Sequence, residues 1–539
     1  RSTLFPYTTL FRSPYRSKRP VIHAHHRPGN AFNGIDCNHY EDYYSSEKIL
    51  NDSNIYMVTE FLHCQDDGGG GAALEDFWEL HWRSPKSGGG FLWALLDEGV
   101  VRTDLENTID VNGLNAPDGV LGPHREKEGS FYAIKEIFSP IKIKMKDDLA
   151  AFGAVAVENR YHFTYLRDCS FEWQLVNFKK PFSGQSGVTV MAKGTGKAMD
   201  LGDSERASHD ILELKLPTDW KSYDAFVLIA FDPFKREKCR EVKKIKSNDQ
   251  VLGSLLKSTA DSVHATETDS TISLRSSNIT VTFAKKDGTI FRLANDRSMP
   301  LLFRDGPILV SGQASFSSIK HFPQGNNQVV EVQYTGDMKY ARWTMYPGGW
   351  TSLDYEYTLN GDYPFAGISF KYPENFVLSA KWLGKGPYRV WKNRLQGVTD
   401  NVWENMNNNT HTGSSWKYPE FKGYYADITW MEMNTVQGKF LIASKDTGLY
   451  VRLFDFYGLS GVRPHPELPA GDISFLDAIP PIGTKLALNI NYNTASLGPQ
   501  SEPNHINKTI KRTLWFYFGL PAPEVQREQF TMPSVNDLF

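Results

Sequence analysis

The sequence predicts a multidomain protein of mixed class, an α/β segment followed by β domains, and three observations carry that reading. Between residues 19 and 96, short apolar runs alternate with stretches of helical spacing, the pattern of parallel strands joined by crossover helices. After Pro140 the apolar period drops to two, as in Phe171-Glu172-Trp173-Gln174-Leu175, which marks half-buried antiparallel strands. At 539 residues the chain has room for about two to four domains, each with its own core.

The α/β segment is read element by element. Arg19-Pro20-Val21-Ile22-His23 and Gly34-Ile35-Asp36-Cys37-Asn38-His39-Tyr40 are expected strands, and Tyr43 to Leu50 an expected helix. Ile55-Tyr56-Met57-Val58-Thr59-Glu60 is the next strand. Ala73 to His81 has helical spacing, with Leu74, Phe77, Trp78 and His81 on one face. Gly90-Phe91-Leu92-Trp93-Ala94-Leu95-Leu96 is a buried strand. Residues 14–139 thus hold four strands in about half the ~250 residues of a (β/α)8 barrel.

Residues 140–235 read as a small, immunoglobulin-like antiparallel sandwich. Residues 236–265, charged and rich in Ser and Thr (Arg236, Lys238, Arg240, Lys243, Lys244, Lys246), are expected to be a linker. From 266 to 539 strands dominate, with Leu353, Tyr355, Tyr357 and Leu359 along one face, and the length suits a large two-sheet domain. No internal repeat is visible.

Residues 1–13 do not read as a natural start. Initiator Met is absent, and Thr3-Leu4-Phe5-Pro6-Tyr7-Thr8-Thr9-Leu10-Phe11-Arg12-Ser13 matches one reading frame of a sequencing-adapter oligonucleotide, a scar to be excluded from fold reasoning. The expectation is an N-terminally truncated chain.

Composition excludes some partners. Lys+Arg of 59 against Asp+Glu of 62 gives a formal charge of −3, so there is no electrostatic footprint for nucleic acid or an anionic membrane. No apolar run approaches the ~20 residues of a membrane helix. Cys37, Cys64, Cys169 and Cys239 lack the spacing of a metal site and are too sparse for a disulfide framework. The aromatic fraction of 13%, with 13 Trp and 25 Tyr, suits β-sandwich cores first and sugar-stacking surfaces second.

Candidate chemistry gathers at strand ends. Glu60 closes its strand, and in a barrel the C-terminal strand ends face the active site. A carboxylate there can attack an anomeric carbon or act as a base; the alternative is a capping or ion-paired Glu. His23, His25 and His26 form a strand-end His-Ala-His-His. A metal there would need further ligands, and no spacing selects them from Asp36, His63 and Asp97. Gly68 to Gly71 precede a helix, yet Asp66 and Asp67 would repel phosphate, which favours a flexible rim. Asp97-Glu98 follows the last strand; one of them faces the pocket, or the pair meets Arg102.

These motifs resemble the family 2 glycoside hydrolases, the group of the bacterial β-galactosidases. Thr59-Glu60-Phe61-Leu62-His63 is similar to the family's C/S-E-Y-A-H, and Gly89-Gly90-Phe91-Leu92-Trp93 to its G-G-F-V/I-W. Asp118-Gly119-Val120-Leu121-Gly122-Pro123-His124-Arg125 through Tyr132, Lys135 and Pro140-Ile141 follows N-G-L-V-x-P-D-R…Y…K…P-I without a gap. Trp382-Leu383-Gly384-Lys385-Gly386-Pro387-Tyr388 through Trp391 and Arg394 resembles a motif of the family's last domain. The matches are collinear from about 18 to 520.

The resemblance implies the C-terminal half of a catalytic barrel, an immunoglobulin-like sandwich and a β-galactosidase small-chain-like supersandwich. It implies Glu60 as nucleophile, Tyr40 as its hydrogen-bond partner, and His63, Trp93 and Asp118 as sugar-binding residues. Asp118 stands where the family has Asn, Ala94 where it has Asp, and Phe61 where it has Tyr, which puts sodium binding and hydroxyl specificity in doubt. The family's acid/base is the Glu of an Asn-Glu pair, and no such pair occurs here. The resemblance also implies that the magnesium ligands beside it lie outside the chain, so no cofactor is expected. The expected substrate is a β-linked oligosaccharide or glycoside, a galactoside first and a glucuronide or mannoside second. The fragment alone is expected to be inactive, with non-catalytic carbohydrate binding as the reading from another class. A homo-oligomer of the full-length protein is left open, and a periplasmic or secreted home would suit such an enzyme.

Overall fold

The computed structural model describes residues 22, 30–63, 71–110, 118–122, 124–145, 154–198, 209–256, 259, 261–296, 299–407, 420–455, 468–483 and 494–519. The adapter-like run, the His25-His26 pair and the expected first strand, Ile22 apart, lie outside them.

The α/β segment forms one sheet in the order β1 (Ala31–Phe32), β2 (Ile35–His39), β3 (Ile55–His63), β4 (Ser87–Trp93). β2, β3 and β4 run parallel, and β1 turns back antiparallel on β2. Helix α1 (Tyr43–Leu50) connects β2 to β3. It starts where the Asp42 carboxylate accepts the Ser45 amide, an N-cap that satisfies an orphan donor. Helix α2 (Leu74–Arg83) connects β3 to β4 and buries Leu74, Phe77 and His81 against Tyr56, Val58 and Phe61. Helix α3 (Gly129–Ile137) closes the segment. Arg102 does not meet Asp97 or Glu98. It lies on β5 (Val100–Arg102), hairpinned to β6 (Thr108–Asp110), and pairs with Asp104 at 2.6 Å and Asp110 at 2.9 Å. These exposed carboxylates, on the hairpin itself, capture it.

His81 ties this core to pH. Its ring stacks on Tyr56 with centroids 5.6 Å apart, and Nδ1 lies 2.8 Å from the Ser87 hydroxyl. Burial pushes its pKa down from 6.5 to about 4. The unfolded chain therefore binds a proton that the folded chain refuses. Its contribution to stability is present above pH 6.5 and is lost as the pH falls toward 4, by about 3 kcal/mol in all. Asp76, on the same helix, is pushed up to about 6 by burial and acts in the opposite sense. The expected result is that His81→Gln flattens the acid limb of stability relative to wild type, measured by denaturant unfolding between pH 4 and pH 7. Parallel curves for the two proteins would contradict it.

The second unit is one continuous antiparallel sheet folded over a single core. Its order is β13 (Glu237–Lys244), β12 (Ala225–Phe231), β9 (Ser170–Phe178), β10 (Val188–Ala198), β11 (His209–Leu214), β8 (Ala154–Asn159), β7 (Ile141–Lys144). β10 makes the corner, pairing with β9 along most of its length and with β11 at Gly196–Ala198, past a register shift at Val190/Ala192. Gly194 has no alternative here, because a Cβ would lie 2.4 Å from the Trp173 ring. The expected linker at 236–265 is corrected. Residues 237–244 are the edge strand β13, paired with β12 from Ala225↔Lys244 to Phe231↔Glu237. An edge strand turns one side to water, so its lysines and arginines read as linker while Cys239 points into the core. Helix α4 (Asn248–Gly253) follows with a Ser247/Gln250 capping box, and the next strand begins at Val263.

The C-terminal unit contains four-, five- and nine-stranded sheets among the described residues. In the nine-stranded sheet Thr351–Tyr363 pairs with Asn504–Tyr517 over its full length. Leu353, Tyr355, Tyr357 and Leu359 are all at most 1% exposed on the core face, as their alternation requires. Trp343, Phe283, Phe370 and Phe516 meet at its centre.

Candidate active site

Strand register brings the candidate residues to one edge. β3 pairs with β2 at His39↔Glu60 and with β4 at His63↔Trp93, so three parallel strands end together. The register of β3 shifts against both neighbours close to these ends. Tyr40 follows β2 in a left-handed conformation (φ 53°), and its amide donates to the Glu60 carbonyl at 2.7 Å.

Asp118 reaches the same edge from a distant stretch of chain. Residues 118–121 run beside 94–97: Ala94 N–H donates to Asp118 O, Val120 N–H to Ala94 O, Leu121 N–H to Leu95 O and Asp97 N–H to Leu121 O, all at 2.9–3.1 Å. The buried Asp97 carboxylate accepts the Gly119 amide at 2.8 Å. Asp97 is thus a loop anchor. A Cβ on Gly119 would stand 2.3 Å from both Asp97 N and Leu96 C. Gly119→Ala should therefore force the backbone apart and destabilise the segment by about 1–3 kcal/mol. Denaturant unfolding checks this, and amide exchange at Val120 should quicken with it; an unchanged midpoint would refute it.

Two candidates meet one carboxylate oxygen of a third. Trp93 Nε1–H donates to Asp118 Oδ2 at 2.9 Å, and His63 Nε2 lies 3.4 Å from the same atom. His63 and Asp118 are buried, whereas the Trp93 ring keeps 36% of its surface open. Tyr40 lies beside them, its ring centroid 6.2 Å from that of His63. Glu60 stays partly open to solvent, with 24% of its side chain exposed. The strand edge thus carries a partly exposed carboxylate, a partly exposed indole and a buried His–Asp pair.

His39 was not singled out from the sequence. Its Nε2 lies 3.4 Å from Glu60 Oε2, and its ring meets Tyr40 edge-on at 4.7 Å. The signal was the parallel register, which only the paired strands reveal. Among the described residues no group of three or more His, Cys, Asp or Glu could hold a metal. Asp118 Oδ2 is engaged by Trp93 and His63.

The C-terminal unit braces this edge from behind. Ala73 N–H, at the start of α2, donates to Asn393 O at 2.7 Å. The buried Asn393 amide donates to Ile482 O and Ser501 Oγ, both at 2.9 Å. Gln396 bonds to Glu75 on α2, and Gly397 N–H donates to Glu136 on α3 at 2.6 Å. The helices after Glu60 and after Asp118 are thereby fixed to one turn of chain.

Two β-galactosidases resemble the chain at low identity. The chain is 21% identical over 511 residues to a β-galactosidase of Priestia megaterium (strain DSM 319 / IMG 1521), covering 84% of this chain and 45% of that protein. It is 22% identical over 160 residues to a β-galactosidase of Actinobacillus pleuropneumoniae, covering 27% of this chain and 15% of that protein. The chain is β-galactosidase-like in sequence. It spans less than half the length of the curated relatives it matches. No family model matches it. Among the described residues no helix is long and apolar enough to cross a membrane.

Proposed function

We propose that this chain carries the nucleophile's half of a retaining β-glycosidase site of the family 2 type, acting on terminal β-linked galactosides. The observation that carries the reading is the convergence of His63, Trp93 and Asp118 beside Glu60 at one parallel strand edge. Three parallel strands with helical crossovers fit part of a (β/α)8 barrel, whose strand ends hold the chemistry.

In this reading the Glu60 carboxylate attacks the anomeric carbon. The C–O ester bond forms as the glycosidic C–O bond breaks, and the leaving oxygen departs with the electron pair. Asp118 holds the Trp93 indole through Nε1, which presents the ring face to the sugar, while His63 supplies a hydrogen-bonding nitrogen beneath it. A retaining site needs a second carboxyl about 5–5.5 Å away to protonate the leaving oxygen. The sequence contains no Asn-Glu pair, so the reading places that acid outside these residues. β-Glucuronidase and β-mannosidase specificity are alternatives within the same chemistry.

A leaving group that needs no proton tests this. Mixed with 2,4-dinitrophenyl β-galactoside, the chain should release dinitrophenolate faster than buffer does, while 4-methoxyphenyl β-galactoside, whose phenolate needs an acid, should be left intact. A larger response to the corresponding glucuronide or mannoside would move the substrate assignment. No release above buffer with any of the three would overturn the proposal.

A further inference from the structure

A second cavity lies at the opposite end of the same strands. It has about 350 Å³ and is lined chiefly by Trp78, His81, Trp82, Phe138, Arg160 and His162, within the range of small-ligand sites. Its floor is Ser87–Gly89, where β4 begins. Ser87 pairs with Tyr56, and Trp93 with His63, six or seven residues further on, which puts the cavity roughly 20 Å from the candidate active site at ~3.3 Å per residue.

The lining is aromatic. Trp78 packs on Phe138 with centroids 4.5 Å apart; Trp82 meets His162 edge-on at 6.3 Å, and His162 continues to Phe163 at 6.0 Å. Phe138 and Phe163 are exposed, the latter by 98%. The charge in the wall is cancelled locally. Arg160 lies over the Trp82 ring at 5.1 Å, and its guanidinium bonds to Glu79 and to Glu158, the latter at 2.9 Å. A charged ligand would therefore find no uncompensated partner.

The polar part of the lining is two-sided. The His81 side chain is 3% exposed, and its Nε2 has no hydrogen-bond partner among the described residues. Nδ1 lies 2.8 Å from Ser87 Oγ, which already accepts the Gly89 amide at 3.1 Å. The Ser87 hydroxyl can either donate to Nδ1 or accept from it, so Nε2 is a donor or an acceptor accordingly. A hydroxyl group, itself both donor and acceptor, matches either state. Flat rings, cancelled charge and a two-sided polar group together describe a surface for neutral sugars.

We infer that the Trp78–Trp82–His162 cavity is a second carbohydrate site, binding a neutral hexose of a β-linked oligosaccharide away from Glu60. It does not depend on the proposed chemistry at Glu60. The test is calorimetric titration of the full chain with lactose, in a Trp93→Ala background so that the strand-end site does not contribute. Saturable binding is expected, weakened at least tenfold by Trp82→Ala and by His162→Ala, restored by Trp82→Phe, and absent with galacturonate. Where Trp82→Ala does not fold, Phe138→Ala at the rim takes its place. No saturable binding, binding indifferent to the ring variants, or a preference for galacturonate would overturn the inference. Loss of binding in Trp93→Ala alone, with wild type binding normally, would place the sugar at the strand ends and overturn it as well.

Discussion

Glu60→Gln is expected to bring the release of dinitrophenolate from 2,4-dinitrophenyl β-galactoside down to the rate in buffer alone, because the attacking carboxylate is gone. The change keeps the side chain's size and leaves the Tyr40 amide bond to the Glu60 carbonyl intact. The fold should therefore survive, and unfolding should begin at the same denaturant concentration as in wild type. A small external nucleophile such as azide should partly restore release in Glu60→Gly, where space is opened for it. Retention of wild-type release in Glu60→Gln would remove Glu60 from the chemistry.

The largest effect on stability is expected at Trp343. Its side chain is fully buried and touches the rings of Phe283, Phe370 and Phe516 at centroid distances of 5.6–6.1 Å. Truncation to Ala removes the transfer energy of a large ring and leaves a cavity that a β-sheet core closes poorly, a cost of about 3–5 kcal/mol. The loss should be confined to the C-terminal unit, visible as an earlier unfolding step by calorimetry. A cost below about 1 kcal/mol would mean that the core collapses onto the gap.

Much of the local structure was legible in the residues, because local rules acted without competition. Helix α1 occupies Tyr43–Leu50 as expected, since Asp42 caps it and its apolar spacing has one face. The Leu353–Leu359 face was legible for the same reason, a clean period of two over a buried sheet. Residues 237–244 were not, because an edge strand with one wet side carries the composition of a linker. Lys238 pairs with Asp232 and Lys246 with Asp224, contacts that no sequence window shows.

The candidate site divides along the same line. Glu60 could be placed at a strand end by sequence position, and motifs singled out His63 and Trp93, although their strands end at His63 and Trp93 and not at Glu60 and Leu96. The common partner of His63 and Trp93 in space is Asp118, 25 residues beyond Trp93, and only the pairing of 118–121 with 94–97 brings it there. His39 was illegible because its meeting with Glu60 depends on the β2–β3 register. Asp97 was read as a pocket residue or an ion-pair partner, and it is a buried acceptor for the Gly119 amide.

The measurement that tests the central claim most directly is covalent trapping. Incubation with 2,4-dinitrophenyl 2-deoxy-2-fluoro-β-galactoside, then proteolysis and mass spectrometry of the peptides, locates the sugar. The fluorine slows hydrolysis of the ester, so the adduct accumulates. One sugar per chain is expected, on the peptide containing Ile55–His63, and none in Glu60→Gln. A label on another carboxylate, or no label at any concentration of reagent, would contradict it.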